Sequence, residues 1–261
     1  MAVSVDTVYQ KVLALANKEQ RGYITPQEFN LFADHAQKDI FRQYFHDLDQ
    51  ARRRTGNDTR YADIATGIEE KIAMFEMYDR SAGLNNEWGD INLNIDFPDL
   101  YKVTMVRVRY HDKKSLNTLG SPGSSTILDK MELSEMNKYG HSYLVRNARM
   151  MRSCGYYILT KTSADNYRMK IYPYPNQTED KVHVSYIRLP KTPKWTYIIS
   201  GENALFNPSL SAGFQDFELH SSEEGILVIK ILQLAGINIK DGSLVQIAAQ
   251  EELKKIQQEK A

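Results

Sequence analysis

The chain has 261 residues, 42% hydrophobic and 25% charged, enough for one large or two small folded domains and too apolar for a disordered chain. Thirty-three Lys and Arg balance 33 Asp and Glu, which excludes the whole-chain electrostatic footprint of a duplex-DNA binder. A single cysteine, Cys154, excludes a disulfide within these residues and suits synthesis in a reducing cytoplasm.

The opening MAVSVDTVYQKVLALANK lacks the basic start and unbroken apolar run of a signal peptide. Val5, Val8, Tyr9, Val12, Leu13, Leu15 and Ala16 recur at helical spacing, so a first helix is expected to end near Gly22. Thr25, Pro26 and Glu28 then form a start signal. The hydroxyl caps the helix, proline sits where no N–H is needed, and the carboxylate can reach back to the cap. Phe29, Phe32, Ala33, Ala36, Ile40, Tyr44 and Leu48 continue one apolar stripe towards Arg54, a helix roughly 40 Å long at ~1.5 Å per residue. A third helix is expected over Ile64–Arg80, carried by Ile68, Ile72, Met74 and Phe75.

The period changes after Gly89. Tyr101–Tyr110, YKVTMVRVRY, follows Pro98 and is rich in β-branched and aromatic residues, the composition of a strand. Residues 111–130 contain GSPGSS and read as a loop or arm. Tyr156–Thr162, Tyr167–Tyr172 and Lys181–Leu189 read as further strands, and the short turns at Asp165 and Pro175 predict an antiparallel meander. After Pro190 an irregular arm is expected, with Pro193, Trp195, Pro208 and Gly213.

Two helices close the chain. Ser221 and Glu224 resemble a capping box before Ile226–Ala235, and Gly236 is expected to stop that helix. In Ser243–Lys260 the residues Leu244, Ile247, Ala248, Leu253 and Ile256 form a stripe, with Glu251, Glu252, Lys254 and Lys255 on the reverse side. The order predicts an α+β chain, its N- and C-terminal helices forming a bundle with a central antiparallel β-meander. The expected regions are a helical region 1–90, a β-rich domain 91–190, an extended irregular arm 191–220 and helices over 221–261 that rejoin the bundle. No window approaches 18 apolar residues, so no membrane-spanning helix is expected.

Motifs for chemistry are scarce. Asn17–Glu28, NKEQRGYITPQE, sets Gly22, Ile24 and Glu28 at the spacing of a calcium-binding hand. Arg21, however, puts a cation where an oxygen ligand belongs, the stretch has no Asp, and Glu28 is already explained by capping. Cys154 has no His nearby in sequence, and His35, His46, His111, His141, His183 and His220 show no paired-ligand spacing. His183 reads as a surface strand residue. There is no Walker loop and no GxGxxG, and Glu69–Glu70 reads as a solvated helix face. No catalytic residue, metal or cofactor is expected, and the chain is not read as an enzyme.

Charge and aromatic content are more informative. Residues 101–170 hold 13 Lys and Arg against 5 Asp and Glu, a local excess of eight positive charges. Arg52, Arg53 and Arg54 suit the negative end of a helix dipole. Arg107, Arg109, Arg146, Arg149 and Arg152 have no such role. They are candidates to face DNA phosphates or an acidic partner, the alternative being surface arginines in ordinary salt bridges. Sixteen tyrosines exceed nine Phe and two Trp, a bias suited to interfaces and also to strand cores. Trp195 and Tyr197 are therefore interface candidates, as are Leu244, Ile247, Leu253 and Ile256, which can dock on a partner or on the chain's own bundle.

Four stretches carry a family likeness: VYQKVLALANKEQRGYITPQEFN, GDINLNIDFPDLYKV, YRMKIYPYPNQTEDKVHVSYIRLPKTPKW and QDFELHSSEEGILVIKILQLAGINIKDGSLVQIAAQEELKK. Together they resemble head-to-tail adaptor proteins of short-tailed phages, most of all the ring proteins of crAss-like phages. The resemblance implies a helical bundle with a β-domain on one side. It also implies a neck ring, usually twelve-fold, below the portal, extending the DNA channel and offering a platform to the tail. The implied partners are further copies of the chain, the portal protein and other neck or tail rings, with non-specific contact to packaged double-stranded DNA and none with a membrane. The implied location is the virion neck, after assembly in the host cytoplasm. Other readings are a different virion structural protein, such as a stopper or tail-tube component, and a cytosolic RNA-binding module that stacks bases on its strand tyrosines.

Overall fold

The computed structural model describes residues 2–18, 24–53, 59–84, 90–109, 125–135, 155–162, 166–172, 175, 180–201, 203–209 and 213–238. Arg21 of the rejected calcium loop, Cys154, Arg146, Arg149, Arg152 and the helix expected over Ser243–Lys260 lie outside these residues, as does most of the 111–130 arm. In chain order the elements begin with β1 (Ala2–Val3), α1 (Val5–Lys18), α2 (Pro26–Arg53), α3 (Thr59–Ala73), β2 (Glu76–Ala82), β3 (Asp90–Asn92) and the single turn α4 (Leu93–Asp96). They continue with β4 (Leu100–Arg109), β5 (Ser125–Lys130), β6 (Gly155–Thr162), β7 (Asn166–Tyr172) and β8 (Lys181–Arg188). The last are β9 (Tyr197–Ser200), β10 (Asn203–Phe206), β11 (Phe217–His220) and α5 (Glu224–Asn238). The fold is α+β, and the chain divides into two units: Met1–Met74 with Pro190–Ala261, and Phe75–Leu189. No described helix is long and apolar enough to cross a membrane.

In the first unit, the start of α2 forms as its sequence dictates. The Thr25 N–H donates to Glu28 Oε2 at 3.0 Å and the Glu28 N–H donates to Thr25 Oγ1 at 3.3 Å, so two helix-end donors are satisfied reciprocally. Phe29, Ala33, Ala36, Ile40, Tyr44 and Leu48 are buried, as their spacing predicts. Two polar residues on the same helix have roles that spacing does not reveal. Asn30 accepts from the Trp195 N–H at 2.8 Å and donates to the Trp195 carbonyl at 3.1 Å. Gln37, fully buried, donates to the Lys191 carbonyl at 2.8 Å and accepts from the Glu218 N–H at 3.0 Å. Seven residues apart, the two amides lie on one helix face, and they satisfy backbone groups that otherwise face a helix rather than a strand.

The described residues of the arm expected over 191–220 are paired rather than irregular. β9 and β10 form a hairpin, Lys194 bridges Gln215, and β11 pairs with β1. After a 3-10 turn at Ser221–Glu223, α5 buries Leu227, Val228, Ile231 and Ala235 and packs against α1 and α2. The turn is capped by His220, whose Nδ1 accepts from the Ser222 N–H at 3.3 Å, in place of the expected Ser221–Glu224 box. Ion pairs fasten this corner: Lys11 to Glu224 at 2.6 Å and Lys71 to Glu223 at 2.5 Å.

The second unit is built on a seven-stranded sheet in the order β2-β8-β4-β5-β6-β7-β3, antiparallel except for the β5–β6 pair. It curls around one core that includes Ile91, Phe97, Val106, Val108, Leu128, Met169, Ile171, Val182, Val184 and Tyr186. Gly155 leaves room where β6 meets β5, since a Cβ there would stand 2.2 Å from the end of the Leu128 side chain and force it to shift.

Three expectations are corrected here. Residues 125–130 of the expected 111–130 loop or arm are the strand β5, paired with β4 and β6. The third helix stops at Ala73 instead of Arg80, and Glu76–Ala82 is the edge strand β2. Its helical spacing through Phe75 is real, but Met77 and Ala82 pack on the sheet core and the segment pairs with β8. The meander also fails at its third strand. β6 and β7 pair as expected, whereas β8 lies between β2 and β4. Pairing on both edges makes β8 interior to the sheet, and Ser185 and Ile187 are buried along with Val182, Val184 and Tyr186.

Candidate functional site: the outward face of the sheet

Alternation along each strand decides which side chains leave the core. Val106 and Val108 of β4 and Val182 and Val184 of β8 point inward. Arg107 and Arg109, and Lys181, His183 and Ser185, are consequently on the outward face. The cross-strand register then assembles two rungs. In one, Arg107 stands opposite His183 on β8 and Ile127 on β5, while His183 stands opposite Ser81 on β2. In the other, Arg109 stands opposite Lys181 on β8 and Ser125 on β5.

The first rung is organised by a bulge. The β2–β8 register shifts between Met77 and Arg80, and Asp79 sits there with φ 55, the one non-glycine residue with positive φ among those described. Asp tolerates this conformation better than most residues. Its N–H donates to Ser185 Oγ at 3.1 Å. The turned carboxylate lies 3.7 Å from both Arg107 and His183 Nδ1. Arg107 also donates to the Tyr78 hydroxyl at 2.6 Å, with its guanidinium 5.5 Å from the Tyr78 ring centre. That hydrogen bond, more than the nearby Asp79 charge, raises the already high pKa of Arg107. The positive charge of Arg107 is thus locally matched, although Tyr78 is 68% exposed.

The second rung has no such compensation. Arg109, Lys181 and Ser125 are exposed, and neither cation has an ion pair among the described residues. Like charges directly opposite one another on a sheet are mutually destabilising.

Sequence reading identified Arg107 and Arg109 but separated neither from the other. It missed Tyr78 and Asp79 by extending a helix over them, and it missed Lys181 because strand pairing is not written in local alternation. The remaining candidates are distributed differently. Trp195 is 1% exposed and its Nε1–H donates to Asp6 Oδ1 at 2.9 Å, so it belongs to the core of its own unit and offers no surface. Tyr197 is half-buried and stacks on Trp195, and the hairpin it begins presents Ile198, Ile199 and Leu205, all exposed. Leu244, Ile247, Leu253 and Ile256 lie outside the described residues. Among the described residues no group of three or more His, Cys, Asp or Glu is placed to hold a metal ion. No protein-family model matches the chain, and no curated protein matches it.

The bulge can be tested directly. Asp79→Ala should lose both the carboxylate interactions and the tolerance for positive φ, whereas Asp79→Gly should lose only the interactions. The alanine variant is expected to be less stable than the glycine variant by about 1 kcal/mol in urea denaturation. Equal midpoints would show that the backbone at residue 79 is not left-handed.

Proposed function

We propose that the chain is a structural subunit of a phage head-to-tail connector ring, sitting below the portal, extending the DNA channel and docking tail components. The reading starts from the resemblance of four stretches of the sequence to ring adaptor proteins. The exposed, uncharged hairpin side chains Ile198, Ile199 and Leu205 support it, because apolar groups left on a surface suit a protein that is completed by assembly. In this reading the terminal helices form a bundle, with Leu244, Ile247, Leu253 and Ile256 docking on the portal or on a neighbouring copy, and the particle neck is its place of work. A balanced net charge suits a channel that must let DNA pass.

The RNA-binding alternative loses Tyr156, Tyr157 and Tyr172, which are buried and offer bases no platform, whereas Tyr78, Tyr101 and Tyr167 stay exposed on their strands. The deciding measurement is the number of copies per virion, by quantitative mass spectrometry or by symmetry analysis of the neck in electron micrographs. A multiple of six, twelve by the family likeness, is expected. One or two copies per particle would remove the proposal.

A further inference from the structure

We propose that the rung formed by Lys181, Arg109 and Ser125 is a phosphate-backbone contact for double-stranded DNA. The inference rests on the connector reading and narrows it to three side chains, one of which, Arg109, sequence alone had nominated.

Three features of the sheet support the assignment. Arg109 and Lys181 are register partners, so an arginine and a lysine face each other across one strand pair, with Cβ atoms about 4.5–5.5 Å apart. That arrangement carries repulsion which an external anion relieves. Two residues lower on the same strands, the fold supplies its own anion: Asp79 lies 3.7 Å from Arg107. The same face therefore shows a neutralised cation beside two cations that have no ion pair among the described residues. Ser125, opposite Arg109 on the far strand, adds a hydroxyl donor to a guanidinium and an ammonium.

The chemistry of that row favours phosphate. Arg, Lys and Ser are among the side chains that bond phosphate oxygens in protein–DNA contacts, and they position a duplex without reading its bases. The row extends over two interstrand steps, about 10 Å, which is longer than a single carboxylate and suited to a repeating anion. No Asn or Gln, the groups that pair with adenine edges, stands in either rung, although Arg and Lys can also pair with guanine. A passing duplex requires a contact independent of sequence, and equal affinity for AT-rich and GC-rich duplexes is the expected sign of it. The surrounding segment 101–170, with 13 basic against 5 acidic residues, attracts the same partner.

The test is fluorescence anisotropy of a labelled DNA duplex titrated with the full chain between about 50 and 200 mM salt. Wild type should bind with an affinity that falls with salt. Arg109→Gln with Lys181→Gln should reduce the log–log salt slope by about 2, at about 0.9 per phosphate contact, and weaken binding at low salt by at least about tenfold. Arg107→Gln should leave the slope unchanged, because its charge is already matched. The double variant should melt no lower than wild type, since it removes a repulsion, so loss of binding cannot be attributed to unfolding. An unchanged slope in the double variant would overturn the assignment, as would wild type without salt-dependent binding. Polyglutamate of equal charge provides the remaining arm. If it displaces the duplex through Arg109 and Lys181 at lower concentration than unlabelled DNA does, the rung serves an acidic protein and the proposal fails. The ring reading is decided separately by copy number, so failure here removes only the rung.

Discussion

Replacing Trp195 with alanine is expected to destabilise the protein by about 3–5 kcal/mol, read as a lower midpoint in urea with an unchanged slope. The indole is 1% exposed and stacks with Tyr197 and Phe206, while Tyr9 approaches to 4.1 Å between ring centres. Truncation removes this packing and leaves a cavity that surrounding aromatic rings cannot close without leaving their rotamers. It also strips Asp6 Oδ1 of the Trp195 Nε1–H donor. Trp195→Phe separates the two contributions. It keeps a ring in the stack and loses the hydrogen bond, so a loss of about 1–2 kcal/mol is expected. The result also decides between two roles for this residue. A tryptophan kept for a partner would leave the isolated chain almost as stable when removed, and a loss below about 1 kcal/mol for the alanine variant would restore that role.

The elements that were legible in the sequence are those whose partners are local. The α2 start follows from Thr25, Pro26 and Glu28 within one turn, and its buried stripe follows from 3.6-residue spacing. The same spacing misled at Phe75, because a run of apolar residues ending at Ile72 and Phe75 continues a helical period whether or not the helix continues. What ended α3 is pairing of Glu76–Ala82 with a strand more than a hundred residues later, and nothing in residues 74–82 announces it. The central place of β8 was half-visible. Val182, Val184 and Tyr186 alternate, but Ser185 and Ile187 are buried too, and a serine gives no warning of burial on the second face. Asn30 and Gln37 were silent for the opposite reason. Polar residues on a helix read as solvated, and only the fold shows their amides holding Trp195, Lys191 and Glu218. At the candidate site the parity of Arg107 and Arg109 was readable. The asymmetry between them was not, since it depends on a left-handed Asp79 two strands away.

Lys71→Met is expected to cost about 2–4 kcal/mol, somewhat less than the roughly 3–5 kcal/mol for breaking a fully buried ion pair from one side. Glu223 is 2% exposed, and Lys71 Nζ lies 2.5 Å from its Oε1. Methionine preserves the length and much of the apolar body of the lysine, so packing changes little and the missing ammonium dominates. That carboxylate oxygen then keeps, among the described residues, a long hydrogen bond from Ser222 Oγ at 3.5 Å, too weak to offset its desolvation. Lys71 Nζ also lies 5.6 Å from the Tyr44 ring centre, and an uncharged methionine gives up that cation–π attraction as well. The estimate stays below the full range because the Lys71 side chain is 27% exposed, which lets water approach the stranded carboxylate from that side. The partner variant fixes the interpretation. Glu223→Leu alone strands a partly exposed ammonium that can turn to solvent, so a smaller loss is expected. Lys71→Met with Glu223→Leu should recover most of the stability, as apolar replacements of buried pairs often do. A double variant as unstable as the sum of the two single ones would show no coupling between residues 71 and 223, and α3 would then be held to the 3-10 turn at Ser221–Glu223 by packing alone.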